Sequence, residues 1–181
     1  MKILILGDVS PRETTDGLFK VGDVDTLFSD TRELFCGKDL CFVNLECALT
    51  ESTGAIKKFG PNLKGCTETS GVLARLGVTV CGLSNNHIFD YGAQGYRDTV
   101  AALEAAGLAY TGFGENYENA RKNYIFEKDG EKMVAYMDAK TEGLGSAVSH
   151  YSVAEYLTTS DKYVENRKLL TSLDKIGRAH V

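Results

Sequence analysis

The chain has 181 residues, 43% hydrophobic and 25% charged, with a formal net charge of −5 at pH 7. That is apolar material for one globular domain, and an acidic balance without a basic stripe argues against nucleic acid as a partner. No window approaches the roughly 20 apolar residues of a bilayer span, and the apolar run before Gly7-Asp8 is too short for a secretion signal. A cytoplasmic location with no membrane segment is the expectation.

In chain order, residues 3–6 form a continuous apolar run that ends at Gly7-Asp8, the pattern of a fully buried strand. Residues 23–35 carry Val24, Leu27, Phe28, Leu34 and Phe35 at roughly helical spacing, and Gly37 supplies a stop. A second buried strand follows over 40–45, with Glu46 just beyond it. The stretch 50–64, with Gly54, Gly60 and Pro61, reads as a long functional or covering loop. A helix over 67–76 capped by Gly77 leads to a third buried strand over 78–83, and Ser84-Asn85-Asn86-His87 comes next. The helix over 96–106 lines Val100, Leu103 and Ala106 on one face and stops at Gly107. A fourth short strand covers 108–111. Segments 124–127 and 133–137 are joined across Asp129-Gly130, a hairpin signal, and a last helix over 161–173 shows Tyr163, Leu169, Leu170 and Leu173. Repeated strand-helix alternation predicts an α/β fold with a mainly parallel sheet, made mixed by the hairpin.

Five cysteines are present, Cys36, Cys41, Cys47, Cys66 and Cys81. None has a CxxC spacing, so neither a zinc knuckle nor a redox pair is expected. Cys41 and Cys81 fall inside apolar runs and read as small buried residues in a reducing compartment. Lys57, Lys58 and Lys64 form a local basic cluster, read first as a solvated loop and second as an attractor of an anionic substrate.

In open parallel sheets, ligands bind beyond the carboxyl ends of the strands. Three of the strands deliver polar residues there: Asp8 after the first, Asn44 and Glu46 around the end of the second, Asn85-Asn86-His87 after the third. Any one of these alone is a turn former or a helix cap. Three sets at equivalent strand ends point to a site. Two carboxylates, an amide and an imidazole on one rim suit a divalent cation, and the histidine can either coordinate or supply a proton.

These residues also carry a resemblance. GDVSP at 7–11, FVNLECALT at 42–50 and LSNNHIFDYG at 83–92, continued by TVAALEAAGLAYTGFGEN at 99–116, resemble in order and spacing the motifs of the CapA family of capsule and poly-γ-glutamate synthesis proteins. The Asn-Asn-His-x-x-Asp-x-Gly block is the most specific of them. That family is similar to calcineurin-like metallophosphoesterases, so the resemblance implies a four-layer α/β/β/α sandwich, of which this chain supplies the N-terminal part. It also implies a centre of two divalent ions (Mn, Fe, Zn or Mg). Asp8 would bind the first, Glu46 would bridge the two, and Asn86 would bind the second. His87 would meet the phosphoryl group and protonate the leaving oxygen, and Asp90 would orient His87.

The chain departs from the wider superfamily in two ways. Ser10 stands where a histidine is usual, a loss that CapA-type proteins share. Histidines from two later strands are also missing: the chain has three histidines, of which His150 sits in a Gly/Ser-rich stretch and reads as a surface or substrate-loop residue. His180 belongs to IGRAHV at 176–181, which resembles a translated sequencing adapter. The expectation is therefore a partial domain over 1–175 with an incomplete site and little activity of its own. The implied substrate is an anionic polymer or phosphoester; the alternative is a non-catalytic polymer-binding or assembly protein on the same fold. Gly112-Phe113-Gly114 is poor support for a nucleotide site, since it follows the fourth strand and lacks the third glycine.

Overall fold

The computed structural model describes residues 1–58, 60–114, 116–120, 122–141 and 148–153. The helix expected over 161–173 and His180 lie outside these residues. Among the described residues no helix is long and apolar enough to cross a membrane.

The first strand, β1 (Ile3–Val9), is followed by two short helices, α1 (Asp16–Val21) and α2 (Val24–Phe28). Strand β2 (Leu40–Leu45) runs into a two-residue strand β3 (Ala48–Leu49), which pairs in parallel with β4 (Lys64–Gly65). Helix α3 (Thr69–Leu76) precedes β5 (Val80–Gly82), and helix α4 (Gly92–Ala105) precedes β6 (Ala109–Thr111). A one-turn helix α5 (Tyr117–Ala120) leads into β7 (Tyr124–Lys128), β8 (Glu131–Thr141) and β9 (Val148–Val153).

Strands β1, β2, β5 and β6 form one sheet in the order β1-β2-β5-β6, and every neighbouring pair is parallel. Side chains alternate across a strand, and here both faces are apolar. Cys41, Val43 and Leu45 of β2 and Cys81 of β5 pack with Leu73 and Leu76 of α3 and Leu103 of α4. Leu40, Phe42 and Val80 point the other way and pack with Met133 and Ala135 of β8. The parallel sheet is thus the middle layer between helices and the antiparallel strands. The fold is α/β with a mainly parallel central sheet, and helix, parallel sheet and antiparallel sheet follow the first three layers of the expected α/β/β/α order.

Two expectations are corrected. The hairpin does not extend the parallel sheet into a mixed one: β7, β8 and β9 form an antiparallel sheet of their own. Tyr124, Phe126, Met133 and Ala135 present an apolar face to the parallel sheet, and two ion pairs tie the layers at one end, Lys128 with Asp39 and the amino terminus with Glu131. The helix expected over 23–35 is likewise two pieces. Asp23 caps α2 by accepting from the Thr26 N–H at 3.0 Å, and a 3-10 segment, Ser29–Phe35, follows. Ser29 adopts φ 45° and the Thr31 hydroxyl bonds back to the Phe28 carbonyl; such local side-chain bonds compete with helical ones.

The hairpin turn has Asp129 at φ 53° and Gly130 at φ 77°, both left-handed, as a two-residue turn matched to strand twist requires. Helix α4 lies close over β3. A Cβ on Gly95 would sit 2.6 Å from the Tyr91 Cβ and 3.4 Å from the Ala48 Cβ, and the Thr99 hydroxyl accepts from the Leu49 N–H at 2.8 Å.

Candidate functional site

The rim begins with Asp8, which lies inside β1 rather than after it, opposite Asn44 of β2 and beyond an irregularity between Ile5 and Asp8. Asn44 Nδ2 donates to Asp8 Oδ1 at 2.6 Å, and Asn44 Oδ1 accepts from Asn85 Nδ2 at 3.2 Å. Asn85 is buried. It also donates to the Leu45 carbonyl at 2.7 Å, while its own Oδ1 accepts from the His87 and Ile88 N–H groups at 3.1 and 2.9 Å. These bonds stitch the carboxyl ends of β1, β2 and β5 into one edge. In the Asn85-Asn86 pair, Asn85 is the brace and Asn86 is the exposed member.

Glu46 is half-buried, and its N–H donates to the Val9 carbonyl at 2.9 Å. Burial, then the negative charge of Asp8, pushes its pKa above the ordinary glutamate range, against the opposing pull of His87 and Arg12. Asp8, Glu46 and His87 are therefore near enough to feel one another. A close pair of carboxylates on a partly dry rim is an unneutralised charge.

Beside it stands a second arrangement. His87 Nδ1 lies 2.7 Å from Asp90 Oδ2, and the Asp90 side chain has 0% exposure. Asp90 Oδ2 also accepts from the Leu63 N–H at 2.7 Å, its Oδ1 pairs with Lys58, and its carbonyl accepts from the Ile56 N–H at 2.8 Å. Lys58 Nζ reaches the Asn86 carbonyl at 3.3 Å and sits 3.1 Å from His87 Nδ1. One buried carboxylate thus fastens the loop between β3 and β4 to the histidine.

Lys58 is the residue that sequence reasoning placed wrongly. Lys57 is exposed, as a solvated loop requires, but the Lys58 side chain is only 14% exposed because it is inserted against Asp90. Lys64 is exposed, bonds the Ser52 carbonyl at 2.9 Å and lies 5.2 Å from the Tyr91 ring centroid. His150, read as a surface or substrate-loop residue, stands in β9 opposite Ala139. Cys41 and Cys81 are buried as expected, and all five thiols are free. Burial pushes Cys47 and Cys81 up to about 12, so neither offers a thiolate to a metal.

Among the described residues, no group of three or more His, Cys, Asp and Glu side chains is spaced to hold a metal ion. The carboxylate grouping on the rim is the pair Asp8 and Glu46. A cleft of about 640 Å³, lined by Tyr96, Tyr110, Phe113 and Tyr124, lies elsewhere and contains none of the rim residues.

The chain is similar to a probable polyglutamine synthesis accessory protein of Mycobacterium tuberculosis, 34% identical over 111 residues that make up 59% of this chain and 28% of that protein. It is 41% identical over 66 residues to the capsule biosynthesis protein CapA of Bacillus anthracis, covering 36% of this chain and 16% of that one. With the PGA biosynthesis protein CapA of Bacillus subtilis it shares 26% over 126 residues, 68% and 33% of the two chains. The matches therefore span about a third or less of the relatives' own lengths. The family described as bacterial capsule synthesis protein PGA_cap matches residues 2–178, and the chain belongs to that family.

Proposed function

We propose that the protein serves capsule or poly-γ-glutamate synthesis through a divalent-metal, phosphoesterase-type site on the carboxyl rim of the parallel sheet. The relatives' roles in capsule, polyglutamine and PGA synthesis supply the biological setting. The observation that carries the chemistry is the shared edge: Asn44 and Asn85 link Asp8 to the backbone of His87, and Glu46 lies near enough to Asp8 for its pKa to be raised by that charge.

The donor set fits a cation in part. Two carboxylates held together need either a shared proton or a positive ion between them, and oxygen ligands suit Mn²⁺ and Mg²⁺. Ser84, on the same edge, has a buried hydroxyl without a hydrogen-bond partner among the described residues. Asp8, Glu46 and Asn86 would hold the two ions, together with ligands beyond these three. When bound, such ions polarise a phosphoryl or carbonyl oxygen and generate hydroxide from water. The chain's own residues do the rest. As the imidazolium, His87 would keep its Nδ1 hydrogen in a hydrogen bond to Asp90 and transfer its Nε2 proton to the leaving oxygen. The substrate class is an anionic polymer or phosphoester.

Calorimetric titration of the intact protein with Mn²⁺ tests this. Stoichiometric binding is expected, weakened at least about tenfold by Asp8→Ala or Glu46→Ala and unchanged by Lys57→Ala. Absence of binding by Mn²⁺, Mg²⁺ and Zn²⁺ alike would move the protein to a non-catalytic, polymer-binding or assembly role.

A further inference from the structure

Another cleft, of about 410 Å³, lies between the exit of β1 and the loop that joins β3 to β4. Its floor is tightly packed. Pro11 is buried there, and β4 comes so close that a Cβ on Gly65 would meet the Pro11 ring at 2.8 Å and the Leu49 side chain at 3.3 Å. The turn out of β1 is fixed at Arg12, whose N–H donates to the Thr15 hydroxyl at 3.0 Å and whose carbonyl accepts from the Thr15 and Asp16 N–H groups at 2.8 and 2.7 Å. Arg12 lines the cleft, and its positive charge reaches Glu46 on the rim.

The walls carry both signs of charge, and part of that charge is already engaged. Lys20 pairs with Asp16 at 3.0 Å, and Lys64 bonds the Ser52 carbonyl and lies over the Tyr91 ring. Arg12, Glu13 and Glu51 also line the cleft, and their charged groups make no hydrogen bond or ion pair among the described residues. A purely anionic segment would meet Glu13 and Glu51 as like charges. A group with a carboxylate and an ammonium on one carbon satisfies all three side chains. The guanidinium takes the carboxylate through two parallel bonds, and the ammonium, with three donors, bonds the two glutamates. In a γ-linked glutamyl chain that pair of charges exists only at the amino end, because the interior nitrogens are amides. We propose that the cleft seats the amino end of such a chain, its α-carboxylate on Arg12 and its ammonium on Glu13 and Glu51, so that the polymer is gripped by its end and not along its length. The proposal rests on the proposed function for the identity of the polymer, while binding in the cleft requires no metal ion.

Calorimetric titration of the intact, metal-free protein with γ-glutamylglutamate, and with its N-acetyl form, tests this. Acetylation keeps every carboxylate and removes the ammonium. The free-amine dipeptide should bind at least about tenfold more tightly than the acetylated one, the worth of a hydrogen-bonded charge. Arg12→Gln should weaken the free-amine dipeptide by a similar factor. Glu13→Gln combined with Glu51→Gln should bring it down to the affinity of the acetylated form, whose own binding should not weaken. All three residues are exposed, so the substitutions leave the core untouched. Equal affinity for the two peptides, binding of neither, or binding unchanged in the variants overturns the inference. Mn²⁺ binding without a preference between the peptides overturns this inference alone. A preference for the free amine without Mn²⁺ binding overturns the proposed metal site and leaves the cleft's assignment standing.

Discussion

Glu46 and Asp8 set a local conflict, because two like charges share a partly buried edge. A glutamate whose folded pKa is raised above its unfolded value of 4.5 prefers the folded state when protonated. Its favourable contribution is complete below that value and is lost as pH rises through the folded pKa. Glu46→Gln should therefore stabilise the metal-free protein at pH 7, by less than about 1 kcal/mol because water screens a half-exposed pair. The gain should disappear below about pH 4.5, where both forms are neutral. Thermal melts at the two pH values check this, and the same substitution should weaken Mn²⁺ binding. At this scale Asp8, Glu46 and His87 were legible in the sequence, since each follows or ends an apolar run. The separate duties of Asn85 and Asn86 were not, for two identical neighbours differ only in where the loop backbone points them. Lys58 was hidden for another reason: its partner lies 32 residues away, and nothing local distinguishes it from Lys57.

Among the elements, the strands around 3–6, 40–45 and 78–83 were plain because a strand covered on both sides is apolar throughout. The helix α1 was missed, with Leu18 and Phe19 as its main apolar residues and too few turns to show a period. Two-residue strands such as β3 and β4 have no periodicity at all. The ends of helices were better marked. Gly77 closes α3 at φ 102°, its N–H and that of Val78 bonding the Ala74 and Leu73 carbonyls at 3.1 and 3.0 Å. A side chain is strained at that φ, so Gly77→Ala should destabilise by about 1 kcal/mol or more, read as a lower urea midpoint with an unchanged slope.

The order of the layers came from the family resemblance and not from the hydrophobic pattern, because both faces of the central sheet are apolar and neither announces its partner. Phe42, 5% exposed, belongs to the face that meets β8. Phe42→Ala should remove about 3–5 kcal/mol by separating the two sheets, and denaturant unfolding will show whether the loss is that large. The anchoring of the loop at Asp90 has a further consequence, for the growing chain. Ile56, Lys58 and Leu63 all precede the residue that secures them. At ribosomal rates of about 5–20 residues per second, that delay is roughly 2–6 seconds. Until Asp90 emerges, these three residues lack the partner that holds them, so this side of the rim is set only after the third parallel strand has been made.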